Sequence, residues 1–123
     1  MIIRNISEVE DVDWGNGVSR RFLTAKDGMG YTLTDTIVNA GTRSPLEYKN
    51  HFEACYCIAG SGAVEDADGN LYPLEPGTMY ALDKKDPHFL IGSPHEDMRL
   101  ICVFSPALVG DERHDFSLEF SNY

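Results

Sequence analysis

Glu53 stands inside the apolar run Phe52–Ile58, two residues before Cys55 and four before Cys57. In an extended chain successive side chains point to opposite faces. Glu53, Cys55 and Cys57 therefore share one face, and Phe52, Ala54, Tyr56 and Ile58 share the other. A second run, Arg99–Phe104, puts Leu100, Cys102 and Phe104 on one face and Ile101 and Val103 on the other. Both faces of both runs are mostly apolar, as for strands that line a lumen on one side and pack a second layer on the other. A carboxylate in such a strand is costly unless it is paired, hydrogen-bonded or bound to a metal, the alternative being an exposed edge. The three cysteines are an odd number without a secreted spacing pattern, which points to free thiols in a reducing cytoplasm.

These side chains need a scaffold, and its signals are those of short strands. The pattern predicts strands at Gly30–Asn39, Tyr48–Ile58, Ala63–Asp66, Leu71–Leu74, Thr78–Leu82, His88–Ile91 and Arg99–Phe104, separated by Gly-, Pro- and Asn-rich turns. Asp68-Gly69-Asn70 lies between two alternating runs and reads as a hairpin turn. Ser7 followed by Glu10 fits a capping box and predicts a short helix near residues 8 to 12. The expected fold is all-β, a single-domain jelly-roll-like barrel with at most one or two short helices.

The chain has 123 residues, one domain's worth, with 42% hydrophobic residues to build its core. Lys+Arg 10 against Asp+Glu 20 leaves a net charge of −10, which repels phosphate backbones and anionic lipid. No nucleic-acid or membrane partner is expected. No apolar run approaches the roughly 20 residues of a membrane helix, and the N-terminus lacks an apolar signal core.

The spacing of Gly41, Glu53, Gly60, Gly77 and His88 resembles the two motifs of the cupin family. The glutamate, the glycines and the last histidine of that pattern are present. Its other two histidines fall on Glu47 and Lys49, its proline on Asp83 and an inner glycine on Lys85. The surrounding words are more specific. DGMGYTLTDTIVNAGT (Asp27–Thr42), YKNHFEACYCIAGSG (Tyr48–Gly62), LYPLEPGTMYALDKKDPH (Leu71–His88), MRLICVFSPALVG (Met98–Gly110) and ERHD (Glu112–Asp115) resemble the ectoine synthases, in order and over nearly the whole chain. That family closes a ring in N-acetyl-2,4-diaminobutyrate with loss of water, giving the compatible solute ectoine.

The resemblance implies a single cupin domain over residues 1–123. Residues 1–25 would form an N-terminal segment with a short helix and a lid over the pocket, 26–110 the barrel, and 111–123 a tail. It implies a metal site of Glu53, Tyr80 and His88. A carboxylate, a phenolate and an imidazole with open positions suit Fe(II), with Zn(II) or Mn(II) as alternatives. It also implies a substrate pocket of Trp14, Arg21, Thr36, Tyr48, His51, Cys102, Phe104, Glu112 and His114. Arg21 offers a fork for the substrate carboxylate, and Trp14 and Phe104 flank its aliphatic body. Ring closure needs a base to take a proton from the substrate ammonium and an acid for the departing water. Tyr48, Glu112, His114 and Cys102 are the candidates, with the assignment among them open. The family also implies a cytoplasmic homodimer acting on a small molecule.

Several segments depart from the family words. WGNGVSRR lengthens the spacing from Trp14 to Arg21, RSPLEYKNH carries Pro45, AGSGA replaces EGEGE, and Ile91 stands where arginine is common. The tail HDFSLEFSNY lacks the usual ending. Two other readings stay open on residues alone: a cupin that binds a small molecule without turnover, and an Fe(II) cupin oxygenase.

Overall fold

The computed structural model describes residues 1–123. Eleven strands follow one another: β1 (Asp11–Asp13), β2 (Val18–Leu23), β3 (Thr32–Val38), β4 (Arg43–Glu47), β5 (Phe52–Ala59), β6 (Gly62–Asp66), β7 (Leu71–Leu74), β8 (Met79–Ala81), β9 (His88–Gly92), β10 (Met98–Ser105) and β11 (Ser121–Asn122). They form two sheets, ordered β1-β2-β3-β10-β5-β8 and β11-β4-β9-β6-β7. Every pairing is antiparallel except that of β11 with β4. The all-β jelly-roll expectation holds, with one correction: the strands do not close into a continuous barrel. Backbone pairing stays within each sheet, and the two are joined through side chains packed between them.

The expected strands recur with shifted ends. The run from Tyr48 begins pairing only at Phe52, leaving Tyr48–His51 as a corner in which Tyr48 is buried and Lys49 and Asn50 are exposed. β1, β2, β4 and β11 were not foreseen. β4 carries Pro45, which cannot donate and suppresses the strand signal, yet Ser44 and Leu46 alternate inward and are buried. Residues 1–25 contribute two strands of the six-stranded sheet as well as a short turn. The helix expected near residues 8 to 12 is corrected to a 3-10 turn at Ile6–Glu8. Its cap is Asn5 rather than Ser7: Asn5 Oδ1 accepts from Ser7 N at 3.0 Å, and Glu8 Oε1 accepts from Asn5 N at 3.0 Å. A second 3-10 turn spans Ala25–Asp27.

β5 and β10 are central and paired on both sides. Their register sets Cys102 opposite Cys55 and Phe104 opposite Glu53, so the alternation read from sequence becomes one inward surface. The outward surface of the same strands is apolar and exposed, with Phe52, Tyr56, Ile58 and Val103 joined by Met79 of β8. Beside it Asp35 of β3 binds Arg20 at 2.9 Å and Arg99 at 2.5 Å, which ties β2, β3 and β10 together and holds its carboxyl below the usual range. At the end of β5, Gly60 has φ +72°, and a Cβ there would stand 1.9 Å from the Asp97 carbonyl oxygen. Lys85, at a motif position that otherwise takes glycine, has φ 55°.

Candidate active site

Between the sheets lies a small cavity of about 30 Å³. Its floor is the inward surface just described: Glu53 and Cys55 from β5, Leu100, Cys102 and Phe104 from β10, and Tyr80 from β8, which pairs with Cys55. Arg21 and Ser19 of β2 and Thr36 of β3 extend one wall, and Leu46 and Leu90 close the other side. Trp14, Tyr48 and Tyr123 enter from the connecting segments and the tail.

Eight residues expected at the site therefore line one chamber: Trp14, Arg21, Thr36, Tyr48, Glu53, Tyr80, Cys102 and Phe104. The other four stand around it. His114 lies with Nε2 3.0 Å from Tyr48 Oη, and its Nδ1 is 2.6 Å from Ser121 Oγ. Glu112 accepts from Arg21 at Oε1 (3.4 Å) and at its main-chain oxygen (2.5 Å). His88 is 2% exposed, with its ring centroid 6.2 Å from those of both Tyr48 and Tyr80. His51 stands farther out, its Nδ1 2.7 Å from the Pro106 carbonyl and its ring edge-on to Phe104. Six lining residues were not foreseen. Cys55, Leu100 and Ser19 lie two positions from Glu53, Cys102 and Arg21 on the same strand faces, so the alternation could have found them. Leu46, Leu90 and Tyr123 come from other elements and need the topology.

Burial dominates the electrostatics. Glu53 is 7% exposed with no cation beside it, and desolvation pushes its carboxyl up to about 8; the Cys55 thiol partly offsets the rise. Desolvation, reinforced by Glu53 and Cys55, raises the Tyr48 and Tyr80 phenols well above their ordinary value. It pushes His114 down to about 3, with His88 and Arg21 adding to the effect, so this ring is neutral. Burial also lowers His88, against the pull of the Asp86 carbonyl that its Nδ1 meets at 2.9 Å. For Glu112 burial pulls upward, but the N–H groups of Gly110 (2.8 Å) and Val109 (2.7 Å) outweigh it and hold the carboxyl below its usual range. Glu112 is thus an anion that fixes Arg21.

Two features of this donor set fit a divalent cation. His88 Nε2 is one of two buried side-chain polar atoms without a hydrogen-bond partner, the other being Thr24 Oγ1. Glu53 is a buried carboxyl that no cation in the chain neutralises. A metal ion would satisfy both. Glu53, Tyr80 and His88 offer oxygen and nitrogen donors, and the Glu53 carboxylate, Cys55 Sγ and Cys102 Sγ lie within 4.8 Å of one another.

A family model described as ectoine synthase matches residues 1–121. An L-ectoine synthase of Desulfatibacillum aliphaticivorans is 49% identical over 122 residues, covering 94% of this chain and 92% of the relative. One from Oceanobacillus iheyensis is 48% identical over 120 residues, covering 94% and 92%. The crystal structure of ectoine synthase from P. lautus superposes with a TM-score of 0.84 at 46% identity, over 89% of this chain and 81% of that one. The polyketide cyclase RemF from Streptomyces resistomycificus, at 19% identity and a TM-score of 0.74 over 85% of this chain and 79% of its own, shares the fold.

Proposed function

Because this chain belongs to the ectoine synthase family, we propose that it is a lyase closing N-acetyl-L-2,4-diaminobutyrate to ectoine with loss of water. The observation that carries the reading is the convergence of Arg21, Thr36, Tyr48, Glu53, Tyr80, Cys102 and Phe104 on one cavity. Glu53, Tyr80 and His88 are the residues that would hold a divalent metal, with Fe(II) favoured and Zn(II) or Mn(II) as alternatives. Such an ion supplies Lewis-acid polarisation of an amide carbonyl.

The remaining work falls to the chain itself. Arg21 binds the substrate carboxylate, and Glu112 keeps the guanidinium oriented. Trp14, whose Nε1 donates to the Ile37 carbonyl at 3.0 Å, is fixed edge-on to His114 and walls the aliphatic body together with Phe104. Thr36 Oγ1, 2.8 Å from Thr34 Oγ1, adds a hydroxyl to the wall. Holding the flexible diamine curled places amine and carbonyl in contact, a gain of several kcal/mol in barrier. The substrate amine must lose a proton as its nitrogen–carbon bond forms, and the carbonyl oxygen must gain protons to leave as water. The chain Tyr48–His114–Ser121 is a built route for that traffic, since a neutral imidazole between two hydroxyls accepts on one side as it donates on the other. Cys102 lies on the floor of the cavity.

The apolar outer face of β5, β8 and β10 supports a homodimer, because a patch of this kind on a monomer is normally covered. The three cysteines are unpaired, which agrees with a reducing cytoplasm. The test is ectoine formation from the acetylated diamine by metal-loaded protein without O₂. Turnover under those conditions is expected. Binding of the diamine without turnover would make the chain a binding protein, and turnover that consumes O₂ would make it an oxygenase.

A further inference from the structure

Cys55 and Cys102 sit opposite one another in the β5–β10 ladder, and both line the cavity. Neither is in a disulfide, and neither thiol is exposed to bulk solvent. With the Glu53 carboxylate their donor atoms fall within a 4.8 Å span. Metal–sulfur bonds of about 2.3 Å and metal–oxygen bonds of about 2.0–2.2 Å set the donors of a tetrahedral ion roughly 3.5–4 Å apart. Small rotamer adjustments therefore close this trio around one ion. Two sulfurs and one oxygen make a softer set than Glu53, Tyr80 and His88, and select thiophilic cations.

We propose that Glu53, Cys55 and Cys102 form a thiophilic metal site, suited to Zn(II) or Cd(II), that overlaps the oxygen–nitrogen set through Glu53. Each thiol releases its proton as the sulfur–metal bond forms, and nothing is oxidised or reduced. Because Glu53 serves both sets, an ion on the thiolates excludes the metal of the other set and stops cyclisation. That exclusion rests on the assignment of Glu53, Tyr80 and His88 proposed above, whereas thiolate ligation does not.

The experiment is titration of the full-length, metal-stripped chain with Cd(II), read by thiolate-to-metal charge-transfer absorption. One ion per chain with a band is expected, and the cadmium NMR shift of that complex should report two sulfur ligands. Cys55→Ser and Cys102→Ser should each lose at least half of the band and bind at least tenfold more weakly, while Cys57→Ser matches the parent. The shift is read on the parent chain, so it decides the matter even if a cysteine variant fails to fold. An oxygen- or nitrogen-only shift with no band would overturn the proposal, as would a band that survives both substitutions or disappears with Cys57→Ser. His88→Ala separates the two sites: the band should persist in it while Fe(II) binding falls. Fe(II) binding in the parent with no thiolate band sinks this site alone. A band together with full Fe(II) occupancy in His88→Ala sinks the oxygen–nitrogen assignment alone and leaves this one standing.

Discussion

Glu53 holds its proton in the folded, metal-free protein up to about pH 8, while an unfolded chain releases it near the ordinary 4.5. Between those values the folded state binds more protons, so the metal-free protein loses stability as pH rises through that window. Glu53→Gln keeps the shape and abolishes the ionisation. The difference in urea unfolding free energy between parent and variant should therefore grow with pH, favouring the glutamine form by a few kcal/mol near pH 8. With Fe(II) present the order should reverse, because a bound cation would pair the carboxylate. A parent and variant with parallel pH profiles in the absence of metal would mean that Glu53 ionises in the fold without penalty. The same burial that makes Glu53 costly alone would make it a strong ligand, and its sequence position between apolar neighbours already carried the message of a buried carboxyl. His114 did not announce itself so clearly: its neutrality follows from packing against Tyr48, Trp14 and Tyr123, which residue order does not reveal.

Gly60 ends β5 where the chain passes against the backbone of Asp97 and Met98, so alanine there meets both a left-handed φ and a carbonyl wall. Gly41 has the same φ of +72° with nothing near its missing Cβ. Gly41→Ala should cost about 1–2 kcal/mol from backbone strain alone, and Gly60→Ala measurably more, as read by denaturant unfolding; equal costs would mean the Asp97 segment yields freely. At this scale the strands β3, β5, β6, β7, β8, β9 and β10 were readable because alternation and turn residues agree there. β2 and β4 were harder, since VSRRFL and RSPLE carry arginines or a proline on positions that only their neighbours explain. Arg20 is held by Asp35 of β3, and β4 is held by β9 on one side and β11 on the other. The site was legible to the extent that it sits on readable strands. Tyr123 was invisible because its place depends on a tail strand of two residues lying parallel to β4.

For the molecule as a whole, the exposed sheet face of Phe52, Tyr56, Ile58, Met79 and Val103 contrasts with a net charge of −10. Two such chains should repel at long range and attract at this patch, so self-association should tighten with salt, which screens the first effect and spares the second. Tyr56→Glu, at the middle of the patch, should sediment as a monomer under conditions where the parent sediments as a dimer, and should keep the parent's β circular-dichroism spectrum. A parent that sediments as a monomer at every concentration would overturn the dimer, and a variant still dimeric would place the interface elsewhere. The two strands beneath that patch are also the floor of the cavity, and both are hydrogen-bonded on each side. Their amides should exchange with solvent only on global unfolding, whereas the Arg21–Glu112 clamp and the His114–Ser121 link hang on a loop and a two-residue strand that should open at smaller cost, a difference that native-state amide exchange reads. The mouth can thus breathe to admit a ligand while Glu53, Cys55 and Cys102 stay on the slowest-exchanging ground in the molecule.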